Sequence, residues 1–294
     1  MIRRFDKSIL VLFWLIILTI VYVACSTTTQ AADQPPPCET IGQTWISPLD
    51  RMTLVCVPAG KFMQGSVEDD PKARPNEKPQ HKVYVDAFWI DRTEVTNAMF
   101  AACVGAKVCH ERKISPYLWG VDLPNGSHYY YESQYQDYPV IMLDSDEAQS
   151  YCQWVGRRLP YEAEWEKAAR GNDDRPYPWG TSIACEQANF LGCVGAPANV
   201  NSYPESASKY GALNMAGNLW EWTADWYAPD YYLQAPKQNA HGPETGQYRT
   251  LRGGGWRSLT YQLRVTERAN GKPEHATDGE IGIRCVLDDV LQDR

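Results

Sequence analysis

No Cys-x-x-Cys pair occurs in the 294 residues, and no cysteine lies between Cys193 and Cys285. The first absence argues against a structural zinc site, which takes closely spaced thiolates. Histidine is sparse: His81, His110, His128, His241 and His275 are scattered and no two stand four residues apart, so no helix offers a two-histidine metal face. Each reads as a surface or loop histidine. There is no basic excess. Lys and Arg total 28 against 36 Asp and Glu, a formal charge of -8, and a nucleic-acid partner needs the reverse. There is no internal repeat and no long run of one charge. Phenylalanine is scarce, with 6 Phe beside 11 Trp and 18 Tyr. Trp and Tyr carry a polar handle and suit wet pockets and interfaces as well as cores. The length suffices for one large domain or two small ones with a proper core.

What is present begins with an export signal. Arg3, Arg4 and Lys7 precede a charge-free apolar run from Ile9 to Ala24, which is shorter than the roughly 20 residues of a spanning helix. The run closes on Ala24-Cys25-Ser26, similar to a bacterial lipobox in which the cysteine is lipidated, although Tyr22 stands where that motif usually has Leu. Residues 1–24 are expected to be the signal and Cys25 the lipidation site. Cleavage near Ala31 with plain secretion, and an uncleaved anchor, are the alternatives. With Cys25 set aside, eight of the nine cysteines remain, an even number suited to an oxidising compartment. Local spacing suggests Cys38–Cys56, Cys103–Cys109 and Cys185–Cys193 as loop staples, leaving Cys152 and Cys285. A few free buried thiols are the alternative.

Residues 25–37 are polar and end in Pro35-Pro36-Pro37, which excludes helix and inner strand and reads as a tether. Residues 38–287 are globular in composition, and 288–294 read as a fraying tail. Strands are expected over Met52–Val57 and Lys82–Ile90. A helix is expected over Thr96–Val104. A second, over Asp144–Val155, has Ala148, Tyr151, Cys152 and Val155 at helical spacing. A third spans Tyr161–Arg170 and is ended by Gly171. Beyond it Gly, Pro and Asn recur every few residues, so the fold class is α+β with much irregular chain.

Seven segments, in order, resemble the formylglycine-generating (sulfatase-modifying factor) family: PAGKFMQGS from Pro58, FWIDRTEVTN from Phe88, YPVIMLDSDEAQSYCQWVGRRLPYEAEWEKAARG from Tyr138, YPWG from Tyr177, YGALNMAGNLWEWTADW from Tyr210, LRGGGW from Leu251 and IGIRC from Ile281. The resemblance implies a single C-type-lectin-like domain low in regular secondary structure. It also implies a bridge between Cys152 and Cys285. It implies structural calcium on side-chain oxygens of Asn214 and Glu221 and on carbonyls of Gly217 and Leu219, a donor set of the hard kind calcium takes. A weaker second site would use Asn189 and Phe190, but residues 192–201 contain no Asp or Glu to complete it. Trp220, Trp222 and Trp226 read as core.

The resemblance fails at the catalytic positions. In the family's oxidases a cysteine pair after a Gly-Gly-Ser turn holds copper(I) and exchanges with a substrate thiol, chemistry that only thiolates supply. Here Ser258 and Leu263 occupy the cysteine positions and Gly255 the serine position, so no copper is expected. Ser258 lacks a GxSxG elbow and is a poor hydrolase nucleophile. The expected function is therefore a membrane-anchored, non-catalytic module. It would present the loop near Arg257–Gln262, with Tyr129, Tyr130 and Tyr131 nearby, to a glycan, peptide or protein. Trp256, Arg257 and Arg264 would form the rim of a hollow widened at Gly255. The alternatives are a formylglycine-generating oxidase and an enzyme of other chemistry in the same cleft.

Overall fold

Proline and glycine punctuate this chain so often that its regular elements are short and are held by cross-links and buried charges. The computed structural model describes residues 34–111, 129–130, 132–274 and 279–289. Cys25, the apolar run before it, Tyr131, His128 and His275 lie outside the described residues. In chain order the strands are β1 (Thr44–Ile46), β2 (Thr53–Val57), β3 (Gly60–Gln64), β4 (His81–Val85), β5 (Phe88–Asp91), β6 (Trp220–Trp226), β7 (Arg249–Arg252), β8 (Ala269–Gly271), β9 (Ile281–Gly282) and β10 (Val286–Asp288). The helices are α1 (Asn97–Gly105), α2 (Ser145–Trp154) and α3 (Glu162–Arg170).

The helices start where their caps dictate. The Thr96 hydroxyl accepts the Met99 amide at 3.3 Å. Asp144 accepts the Glu147 amide at 2.8 Å while Glu147 accepts the Asp144 amide, a reciprocal cap on α2. Gly171 ends α3 at φ 78°.

The expected strand Lys82–Ile90 is two strands in two sheets. β4 pairs with β3 in a two-stranded sheet, whereas β5 lies between β2 and β10 in the order β1-β2-β5-β10. The chain changes sheets at Asp86, whose amide donates to the Asn239 side chain at 2.9 Å while its carboxylate accepts that side chain's amide at 2.6 Å. The third sheet runs β8-β7-β6-β9, with β6 and β9 parallel. Trp89, Trp165 and Trp222 are fully buried among these layers, and Trp220 is buried beside them. Trp226 is half-buried under the Arg249 guanidinium.

All four bridges form: Cys38–Cys56, Cys103–Cys109, Cys185–Cys193 and Cys152–Cys285. The last ties α2 to the turn before β10. The tail does not start at Asp288 as expected. Asp288 belongs to β10, and Asp289 is buried, its carboxylate accepting the Cys38 amide at 3.2 Å. Among the described residues no helix is long and apolar enough to cross a membrane.

Candidate functional site

The three glycines after β7 make a turn that other residues cannot make. Gly253 and Gly254 sit at φ 98° and 77°, a region where side chains are strained. A Cβ on Gly254 would also meet Leu263 at 2.9 Å. The third glycine, Gly255, does not widen a hollow. A Cβ there would lie 3.1 Å from the Glu280 side chain and 3.3 Å from Trp220, because those two side chains already fill the space.

Ser258 closes the turn. Its hydroxyl accepts the Gly255 amide at 2.9 Å and its own amide donates to the Gly255 carbonyl at 2.9 Å, in a buried setting. Leu263 is not a pocket wall. It is wholly buried in a small core with Tyr177, Ala188 and Ala216. The two family cysteine positions are thus a turn-closing hydroxyl and a core leucine.

Of the expected rim, only Arg257 reaches solvent. Its side chain is 34% exposed, its guanidinium lies 4.4 Å over the Trp256 ring, and a nitrogen sits 3.5 Å from Glu280. Trp256 is buried and its indole N–H donates to the Gly279 carbonyl at 3.0 Å. Arg264 points inward. It is buried, pairs with Glu77 at 2.5 Å and lies 3.2 Å from Glu267. Burial pushes Glu77 up, but hydrogen bonds from Arg264 and its neighbours outweigh that and hold it down at about 2. Tyr129 and Tyr130 are also core, stacked edge to face, with hydroxyls donating to the carbonyls of Pro139 and Ile141. A tyrosine run is as compatible with buried hydroxyls satisfied by backbone as with a wet loop.

The residues implied for calcium do come together, and Glu221 among them is already paired with a cation. Both Glu221 oxygens accept from Arg284, at 2.8 and 2.9 Å, and one also accepts the Trp165 indole N–H at 2.7 Å. Its charge is balanced by a buried guanidinium that would repel a cation. Asn214, at φ 57°, donates to Glu94 at 2.7 Å and to the Val200 carbonyl at 2.9 Å. Asn218 donates to the other Glu94 oxygen at 2.8 Å. Gly217, at φ 86°, is needed because a Cβ would lie 2.5 Å from the Asn189 carbonyl, and Leu219 is buried behind it. Asn189 donates to Asn218 and to the Ala196 carbonyl, while the Phe190 carbonyl accepts the Cys193 amide. The loop is a polar spine of side chains bonded to one another. Among the described residues no group of three or more His, Cys, Asp or Glu is arranged to hold a metal.

The core is built on buried ion pairs. Arg252 holds Glu166 at 2.7 Å and Glu162 at 3.2 Å, and Arg268 holds Glu162 at 2.7 Å. A second group joins Arg157 to Asp50 and Asp91. The signal was in the sequence. Glu162 and Glu166 lie four apart on the same helix as Ala163, Trp165 and Ala168, too densely interleaved to form a separate solvated face.

The model of the sulfatase-modifying factor enzyme 1-like domain matches residues 46–289. The chain belongs to this family. A formylglycine-generating enzyme of Streptomyces coelicolor is 33% identical over 282 residues, 80% of this chain and 88% of that protein. A serine/threonine-protein kinase pkn1 of Chlamydia caviae is 36% identical over 240 residues, 79% of this chain but only 37% of the kinase, so the chain spans little more than a third of that relative. A hercynine oxygenase of Mycolicibacterium thermoresistibile is 36% identical over 243 residues, 74% of this chain and 54% of that protein. Two solved structures share the fold: PvdO from Pseudomonas aeruginosa, with TM-score 0.73 and 24% identity over 85% of this chain and 99% of that one, and Treponema denticola variable protein 1, with TM-score 0.67 and 22% identity over 83% and 98%. The family's fold is therefore kept, α+β and C-type-lectin-like, with short strands and few helices.

Proposed function

We propose that this chain is an exported, membrane-anchored member of the family that binds a ligand or partner and does not oxidise thiols. The observation that carries this reading is the state of its cysteines. All eight of the folded domain are joined in disulfides, and the two positions that would hold a thiolate pair carry Ser258 and Leu263. Neither can hold copper(I) as a soft ligand or enter thiol exchange. Four disulfides are compatible with an extracellular location, and the Ala24-Cys25 sequence supports a lipid anchor.

The binding face best supported is the one beside the glycine turn. The Leu191 amide donates to the Ser258 carbonyl at 3.0 Å and draws the Cys185–Cys193 loop against the turn. The two loops leave Leu191, Val194, Leu259 and Tyr261 exposed, and Arg257 on the glycine turn is one-third exposed. Exposed apolar side chains grouped with an arginine suit an apolar peptide or protein segment better than a glycan. The reading is tested by titrating the purified chain with copper(I) against a competing chelator. Retention of copper in the chelator is expected, and one copper held per chain at thiolate-like affinity contradicts it.

A second reading, formylglycine generation, draws on the 33% identity to the Streptomyces coelicolor enzyme across 88% of its length. It requires thiols delivered from outside the glycine turn.

A further inference from the structure

The protein is acidic overall, yet one of its surface clefts is lined by two arginines that no carboxylate among the described residues answers. This cleft, of about 450 Å³, lies between the turn before β2, the segment joining β5 to α1, and residues 200–201. It shares no residue with the face beside Gly255 and does not depend on that face's function. Arg51 and Arg92 both line it. Among the described residues neither guanidinium has a carboxylate within ion-pairing distance, unlike the buried arginines elsewhere in the fold. Of the two carboxylates on the cleft, Asp50 is committed to Arg157 and to the Tyr151 hydroxyl. Asp137 alone remains, so positive charge is in excess.

The backbone gives a second, independent observation. Arg51 is held at φ 62°, in the left-handed region where glycine or asparagine rests more easily. The turn is fixed on both sides: the Arg51 amide donates to the Ser47 carbonyl at 3.1 Å, and the Ser47 amide to the Met52 carbonyl at 2.9 Å. Arg92 is equally fixed, its amide donating to the Thr53 carbonyl at 2.8 Å and its carbonyl accepting the Leu213 amide at 2.7 Å. Arg51 is exposed and Arg92 half-buried, and among the described residues neither side chain makes a hydrogen bond or ion pair, so both guanidinia are open to a ligand in the cleft. Leu49, Met99 and Ala102 supply apolar wall next to the two cations.

We propose that this cleft binds a small anion on an apolar stem, a carboxylate or a phosphate monoester. The two guanidinia take the anionic oxygens in forked hydrogen bonds, and the wall of Leu49, Met99 and Ala102 takes the stem. The test uses the full chain in detergent at constant ionic strength, with hexanoate and hexyl phosphate as probes and hexanol as the uncharged control. Calorimetry is expected to show saturable binding of at least one anion and none of hexanol, and the preferred anion distinguishes the carboxylate from the phosphate source. Arg51→Gly is expected to weaken binding by about tenfold or more while leaving the ligand-free melting temperature unchanged or raised, because it relieves the left-handed strain. Arg92→Gln is expected to weaken binding by a similar factor. Absence of saturable binding by either anion, equal binding of hexanol, or a fall in ligand-free melting temperature on Arg51→Gly would each overturn the proposal, the last by making Arg51 structural.

Discussion

At the scale of single residues, each family position that departs from the oxidase pattern has been absorbed into the fold. Ser258 ties the glycine turn, Leu263 fills a core, and Glu280 takes the room at Gly255. Restoring the family's residues therefore has a structural cost. Leu263→Cys removes buried carbon and is expected to destabilise by about 2 kcal/mol, read as a lower urea midpoint at unchanged slope; an unchanged midpoint would show that Leu263 is not packed. Glu221 makes the same point for calcium. Its carboxylate already balances Arg284, so chelators are expected to leave the melting temperature unmoved. Glu221→Gln is expected to lower stability by about 3 kcal/mol, because it strands a buried guanidinium. A chelator-induced drop in melting temperature that added calcium reverses would show that the loop holds the ion after all. The sequence made the identities of these positions plain, since the motif order places them, but not their partners. Arg284 and Glu221 are 63 residues apart, and no local spacing reports such a pair.

At the scale of elements, what could be read locally was read well. Two of the three helices carry their caps in their first residues, Thr96 and Asp144 sitting where the chain turns helical. The strand read through Lys82–Ile90 failed because its apolar alternation runs across Asp86 without a break, while the change of sheet is decided by Asn239, far along the chain. The bridges joining Cys38–Cys56, Cys103–Cys109 and Cys185–Cys193 were legible from spacing. Cys152–Cys285, with a sequence separation of 133, was legible as the pair left over once the local pairs were taken, and through family resemblance. Its removal by the double change Cys152→Ser and Cys285→Ser is expected to lower stability by about 5 kcal/mol in the chain-entropy model. Denaturant unfolding measures this, and a loss below about 1 kcal/mol would mean that the buried ion pairs, not the bridge, hold α2 to the end of the chain.

At the scale of the whole molecule, the interior is unusually charged, and this sets its pH response. Burial raises Asp91, Glu94 and Asp225 each to about 7, with Arg157 opposing it at Asp91 and Glu162 adding to it at Asp225. These groups bind protons more tightly folded than unfolded, so their contribution is present in acid and is lost as pH rises from about 4 towards 7. Glu77, held down at about 2, works the other way, and its stabilisation is lost as pH falls through the range from 4.5 towards 2. The melting temperature is therefore expected to be highest near pH 4 and lower at pH 8, and a steady rise from pH 4 to pH 8 would contradict these assignments. Composition did not disclose this interior, because a charge count does not say which charges are buried. All eight cysteines of the domain are joined in disulfides, which leaves it without a reduced thiol. This is tested most directly by incubating the purified chain with copper, oxygen and a peptide carrying a Cys-x-Pro-x-Arg sequence, and weighing the peptide. An unchanged peptide mass is expected. A loss of about 18 Da, the change from thiol to aldehyde, faster than in a protein-free control, would contradict the premise that thiolates are required at the positions of Ser258 and Leu263.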